Sequence, residues 1–106
     1  MRRGAPRRTQ VITVEGVLGP ARLGDLLARL GPLPERGPPG PSVVVCDLRA
    51  VERPGLGAVD ALARLHLVLR TAGCELHLRN AGADLRSLVA LAGLEGLLRF
   101  DPADPA

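Results

Sequence analysis

The cysteine, histidine and serine side chains that most often ligate a transition metal or act as a nucleophile are few: Cys46, Cys74, His66 and His77, with Ser42 and Ser87 as the only serines. None of the cysteines and histidines falls in a Cys-x-x-Cys or His-x-x-x-His spacing, so no metal site is expected. Neither serine sits in a Gly-x-Ser-x-Gly elbow, and neither histidine has an evident nucleophile beside it, so no catalytic residue is assigned and no enzyme is expected. Cys46 and Cys74 lie in strand-like contexts and read as buried thiols, while His66 on a helix and His77 on a strand read as partly exposed imidazoles. Gly55-Leu56-Gly57 opens a helix and leaves N–H groups free, as a phosphate-cradling turn does. The spacing matches neither a P-loop nor a dinucleotide fingerprint, and Glu52 would repel a phosphate, so no cofactor is expected.

The remaining chemistry is that of a surface. If Leu62, Leu65, Leu69 and Ala72 face a sheet, the opposite side of the same helix carries Asp60, Arg64, Leu67 and Thr71. Asp60 and Arg64 are spaced for an acid-before-base pair one turn apart. Leu67 is then exposed, and with Val59, Ala63 and His66 it forms a modest apolar patch suited to docking.

The elements that position this helix follow from periodicity. Ser42 to Leu48 is a short β-branched run, apolar on both faces, as in a strand covered on both sides. Arg53-Pro54-Gly55 breaks the chain, and Leu56 to Gly73 is a proline-free run of helix formers ending in a glycine suited to a left-handed cap. Cys74, Leu76 and Leu78 then alternate with Glu75, His77 and Arg79, the period of two of a half-buried strand. Asp84 to Ala92 closes the unit with Leu85, Leu88, Val89 and Ala92 on one helix face and Gly93 at its end. Upstream, Thr9 to Leu18 reads as an edge strand with Ile12 and Val14 on one face. Pro20 starts a helix with Leu23, Leu26, Leu27 and Leu30 on one stripe. The order strand, helix, strand, helix, strand, helix predicts an α/β fold with a small, mostly parallel sheet.

At 106 residues the chain is one domain. Residues 9–100 form it, interrupted by a loop at 31–41 that holds five prolines and three glycines. Residues 1–8 are expected as a disordered arm and 101–106 as a disordered tail. Hydrophobic content is 46% with Phe100 the lone aromatic, so the core is built from Leu, Val and Ala. Stacking platforms for single-stranded nucleic acid are missing. The basic pI near 10.1 comes from Arg2, Arg3, Arg7 and Arg8. Without those four, ten basic and eleven acidic groups remain, a net charge of −1, so no nucleic-acid partner is expected. All basic residues are arginine, which matches the composition of a GC-rich genome. No apolar stretch is long enough for a membrane span and no signal-peptide core follows the arginines, so the protein is expected in the cytoplasm without direct membrane insertion.

Four segments taken in order are similar to a STAS domain, the family of anti-sigma factor antagonists and sulfate-transporter regulatory tails. They are Val43-Val-Val-Cys-Asp-Leu, Pro54-Gly-Leu-Gly-Ala-Val-Asp-Ala-Leu-Ala-Arg-Leu, Ala72-Gly-Cys-Glu-Leu-His-Leu-Arg and Leu85-Arg-Ser-Leu-Val-Ala-Leu-Ala-Gly-Leu-Glu-Gly-Leu-Leu. The resemblance implies four to five strands flanked by helices and a non-enzymatic role in partner switching. In antagonist members, phosphorylation of a serine before the long helix disrupts docking on an anti-sigma kinase. Here that place reads Glu52-Arg53-Pro54-Gly55; the family position is occupied by Arg53 and Pro54, so no phospho-acceptor is expected. The partner surface implied is Glu52, Arg53, Pro54, Gly55, Leu56 and Gly57 with Asp60, Arg64 and Leu67. The partner implied is an anti-sigma factor kinase. A subunit of an ABC-type lipid transporter, which the chain would serve as a cytoplasmic accessory, is the alternative, and a second copy of the chain is a further candidate.

Overall fold

A computed structural model describes residues 9–30 and 42–101; the arginine-rich arm, the loop at 31–41 and residues 102–106 lie outside the described residues. Strand β1 (Thr9–Gly16) leads through a 3₁₀ turn (Pro20–Arg22) into helix α1 (Leu23–Leu30). Then come β2 (Ser42–Val51), α2 (Leu56–Thr71), β3 (Cys74–Arg79), α3 (Ala83–Leu91) and the two-residue β4 (Arg99–Phe100). The four strands form one sheet in the order β1-β2-β3-β4, and each neighbouring pair is parallel. The expected α/β architecture is therefore present, at the lower strand number, and β1 is an edge strand with Val11 half-exposed.

The strand order explains where the helices lie. Parallel crossovers are right-handed, and here each one steps to the next position in the same direction, so successive helices land on the same face of the sheet. Residues of α1, α2 and α3 accordingly share one core with Ile12, Val14, Val44, Cys46, Leu48, Leu76 and Leu78. The reading of β2 as apolar on both faces holds for Val43 and Val45, which alternate to the opposite face and are also buried, while the same face ends in the buried charge of Asp47. That second face is not covered by the described helices.

Helix boundaries obey local chemistry. Pro20 occupies the first position of the 3₁₀ turn, where its missing N–H is not needed, and Arg22 donates to the carbonyls of Glu15 and Val17 at 2.9 and 3.1 Å, fastening that turn to the end of β1. Gly73 (φ +79°) and Gly93 (φ +74°) follow α2 and α3 in the left-handed conformation expected of them. Two placements differ from the sequence reading. Ala92 is exposed, because α3 stops at Leu91 and only Leu85 and Val89 of its stripe are fully buried, with Leu88 packed at the margin. Val59, assigned to the outer patch of α2, is a core residue at 3% exposure.

At the C-terminal end of the sheet, Asp101 donates its N–H to the Leu78 carbonyl at 2.7 Å, and Arg79 Nε donates to the Asp101 carboxylate at 2.9 Å. Phe100 lies under the Arg86 guanidinium, 4.2 Å from the ring centroid.

Candidate functional site

The segment between β2 and α2 is built around its backbone. Glu52 donates its N–H to the Gly16 carbonyl at 2.8 Å, prolonging the β1–β2 ladder by one bond, and its exposed side chain is left to solvent. Arg53 follows with φ +48°, a left-handed conformation that costs a residue bearing a Cβ about 1–2 kcal/mol. Pro54 is half-buried. Gly55 is the extended N-cap of α2, and its carbonyl accepts from the N–H groups of Ala58 and Val59 at 3.0 and 3.3 Å. No side chain caps this helix and its first turn carries no acid. Gly57 runs close to the Leu18 carbonyl and the Pro20 ring, where an added Cβ would be in ordinary contact at 3.8–4.0 Å. Packing α2 onto the 3₁₀ turn therefore leaves room for an alanine there.

The outer face of α2 continues this turn. Residues 56, 60, 63 and 67 recur at i, i+4, i+7 and i+11 and form one stripe. Leu56 is 64% and Leu67 53% exposed, with Asp60 and Ala63 between them partly covered. Arg64 Nε donates to Asp60 Oδ1 at 3.0 Å, the pair that the spacing calls for, and both side chains are substantially solvated. Thr71 returns its hydroxyl to the Leu67 carbonyl at 3.0 Å. The structure therefore brings Leu56, Asp60, Arg64 and Leu67 together on one solvent face that begins at Arg53 and Pro54. His66 and Val59 belong elsewhere: Val59 is in the core, and His66 lies toward β3 and β4 in a separate cavity.

One contributor was not singled out from sequence as a site residue. Asp47, 5% exposed, lies next to the end of the buried run of β2, which closes at Leu48. Its Oδ1 accepts from the Arg49 N–H and from Asn80 Nδ2, both at 3.0 Å, and its Oδ2 accepts from the Arg49 guanidinium at 3.0 Å. Burial pushes the Asp47 carboxyl up, but the bonds from Asn80 and Arg49 outweigh it and hold the group below its ordinary value. The β1–β2 register shifts here, with Thr13 opposite Asp47 and Glu15 opposite Ala50, so β2 carries one extra residue. Beside this bulge a cleft of about 340 Å³ is lined by Arg49, Val51, Pro54, Asn80, Gly82 and Asp84 among others. It opens beyond the carboxyl ends of β2 and β3, where parallel sheets tend to present their sites. Pro54 lines this cleft and neighbours Arg53, linking it to the α2 face.

The other reactive groups are inert or separate. Cys46 and Cys74 are both buried thiols, as expected. The register pairs Cys46 with Leu78 and Ser42 with Cys74, so the cysteines stand four positions apart along neighbouring strands, about 13 Å at the rise of a strand and far too distant to bridge. Burial pushes the Cys46 thiol up to about 12, with Arg29 pulling weakly the other way. His77 is half-buried and lies 3.1 Å from Glu75. Among the described residues no group of three or more His, Cys, Asp or Glu is placed to hold a metal ion. No helix of the described residues is long and apolar enough to cross a membrane.

Set beside known proteins, residues 1–99 match a family model described as "Mlab, STAS domain". No curated protein matches the chain.

Proposed function

We propose that this chain, which belongs to the STAS-domain family, is a docking module of the anti-sigma-factor-antagonist kind that works without a phosphorylation switch. STAS domains in general mediate protein–protein interactions and are generally not enzymes. The docking surface in this reading is the Glu52–Gly57 turn with Asp60, Arg64 and Leu67 on the outer face of α2. One observation carries it: Leu56 and Leu67 stand exposed on one stripe of a helix whose other side is fully packed, flanking the Asp60–Arg64 pair. Each leucine, if fully buried by a partner, would contribute roughly 1.5–3 kcal/mol, and the ion pair would sit at the margin to set orientation. The left-handed Arg53 supports the same assignment, since backbone strain concentrates at binding turns.

A second reading is a STAS accessory subunit of an ABC-type lipid transporter. It is favoured by the composition of the turn, because residues 52–57 hold no hydroxyl and transporter accessories of this family also lack the phospho-switch. The experiment that separates the two is affinity capture with the native protein and with Leu67→Asp from a lysate of the native host, the bound proteins being identified by mass spectrometry. Selective recovery of an anti-sigma kinase by the native protein supports the antagonist role, and transporter subunits support the accessory role. Equal recovery of the same partner by both proteins removes the α2 face from the reading.

A further inference from the structure

A second cavity, of about 310 Å³, lies near the C-terminal end of α2, away from the docking turn, at the low end of the range for small-molecule sites. It is lined by His66 and Arg70 of α2, Cys74 and Glu75 at the start of β3, Gly96 and Leu97, and Arg99 of β4. Three elements thus contribute to it, and the two guanidinium groups come from residues 29 positions apart in sequence. Neither Arg70 nor Arg99 has an ion-pair partner among the described residues. The carboxylate in the wall, Glu75, is already engaged with His77 at 3.1 Å, and the Cys74 thiol donates to the Ala72 carbonyl. His66 also lines the cavity, and its Nε2 is buried behind that surface with no hydrogen-bond partner among the described residues. A buried polar atom without a partner is unfavourable by about 1–3 kcal/mol, which makes His66 sensitive to any charge placed in the cavity beside it.

From the convergence of Arg70, Arg99 and His66 on one cavity, we propose that this cavity binds a phosphate-type dianion, the phosphate group of a small molecule or of a lipid headgroup. Two guanidinium groups match the two charges of the ligand, and the adjacent His66 imidazole responds to it through the electrostatic field. Glu75 is the opposing charge, and its engagement with His77 draws it from the ligand. Without the ligand, His66 is held below its ordinary value by burial, then by Arg70 and Arg99. An anion placed between the arginines reverses the electrostatic part, so the imidazole takes up a proton more readily in the complex. Binding of a dianion that does not itself titrate therefore weakens as pH rises through the His66 pKa of the complex.

The test is an NMR titration of the full chain, following the His66 and His77 imidazole resonances. Sulfate serves as the non-titrating dianion, inorganic phosphate as the soluble ligand, and vesicles of phosphatidylcholine with or without phosphatidic acid as the headgroup arm. The expected result is a saturable shift confined to His66 with a raised His66 pKa. In Arg70→Gln/Arg99→Gln the affinity falls at least tenfold, while Arg70→Lys/Arg99→Lys restores part of it. A chemical-shift map of the double variant in the absence of ligand confirms that it folds. Saturable, arginine-dependent binding of free phosphate identifies a soluble ligand. Binding of phosphatidic acid vesicles alone, with the same arginine dependence, identifies a headgroup. No saturable His66 shift with any of the probes, or the same shift in the glutamine variant, overturns the proposal.

Discussion

Asn80 donates its side-chain amide to Asp47 across a separation of 33 residues, at 3.0 Å, and so ties the carboxyl ends of β2 and β3 together beside the Glu52–Gly57 turn. Asn80 itself adopts φ +57°, a conformation that asparagine tolerates better than most residues. Asp47→Ala removes the acceptor of three hydrogen bonds, and a loss of about 1–3 kcal/mol in urea unfolding is expected. A double-mutant cycle with Asn80→Ala should show clear coupling, because the two substitutions delete the same bond.

The same carboxylate sets an acid limb on stability. Its pKa is lowered in the folded state, by Asn80 and Arg49 against the opposing push of burial. Its stabilisation is therefore complete above the unfolded value near 3.9 and is lost as pH falls through the folded pKa. In Asp47→Asn that part of the acid-side loss should be missing. An unchanged acid limb would show that other carboxylates dominate it.

Cys46 produces the opposite limb. With its thiol pushed up to about 12 in the folded state and near 8.5 when unfolded, stability should decline as pH rises above about 8.5. Iodoacetamide at pH 8 should leave Cys46 unmodified in the native protein and modify it fully in denaturant, read by mass spectrometry.

At Arg53 the backbone rather than the side chain decides stability. Arg53→Gly relieves the left-handed strain and should leave stability unchanged or raise it by up to about 1 kcal/mol. Arg53→Ile should lower it by about 1–2 kcal/mol, because a β-branched residue resists that conformation. Chemical denaturation of the three proteins makes the comparison.

Much of this architecture is legible in local patterns. The alternation of Cys74, Leu76 and Leu78 with Glu75, His77 and Arg79 suffices to place β3, and Gly73 and Gly93 mark two helix ends because each must turn left-handed. The Asp60–Arg64 pair follows from spacing alone. Val59 does not. It lies at the side of α2, and its burial depends on α2 packing against α1, α3 and the 3₁₀ turn as well as the sheet, which widens the buried arc beyond one stripe. Asp47 reads as part of a strand, but its junction with Asn80 depends on β3 ending beside β2. The His66 cavity likewise forms only when Arg99 in β4 is brought alongside α2 and β3.

Two leucine replacements on α2 distinguish its faces. Leu62→Asp forces an unpaired charge into a fully buried position, and a domain with typical stability should unfold. Leu67→Asp changes a side chain that is 53% exposed, and its thermal midpoint should match the native protein to within about 0.5 kcal/mol of stability.

The most direct measurement is the calorimetric affinity of the native protein and of folded Leu67→Asp for the partner recovered by capture. Docking through the outer face of α2 predicts an affinity at least tenfold weaker for Leu67→Asp with the thermal midpoint unchanged. Equal affinity for the two proteins would contradict it.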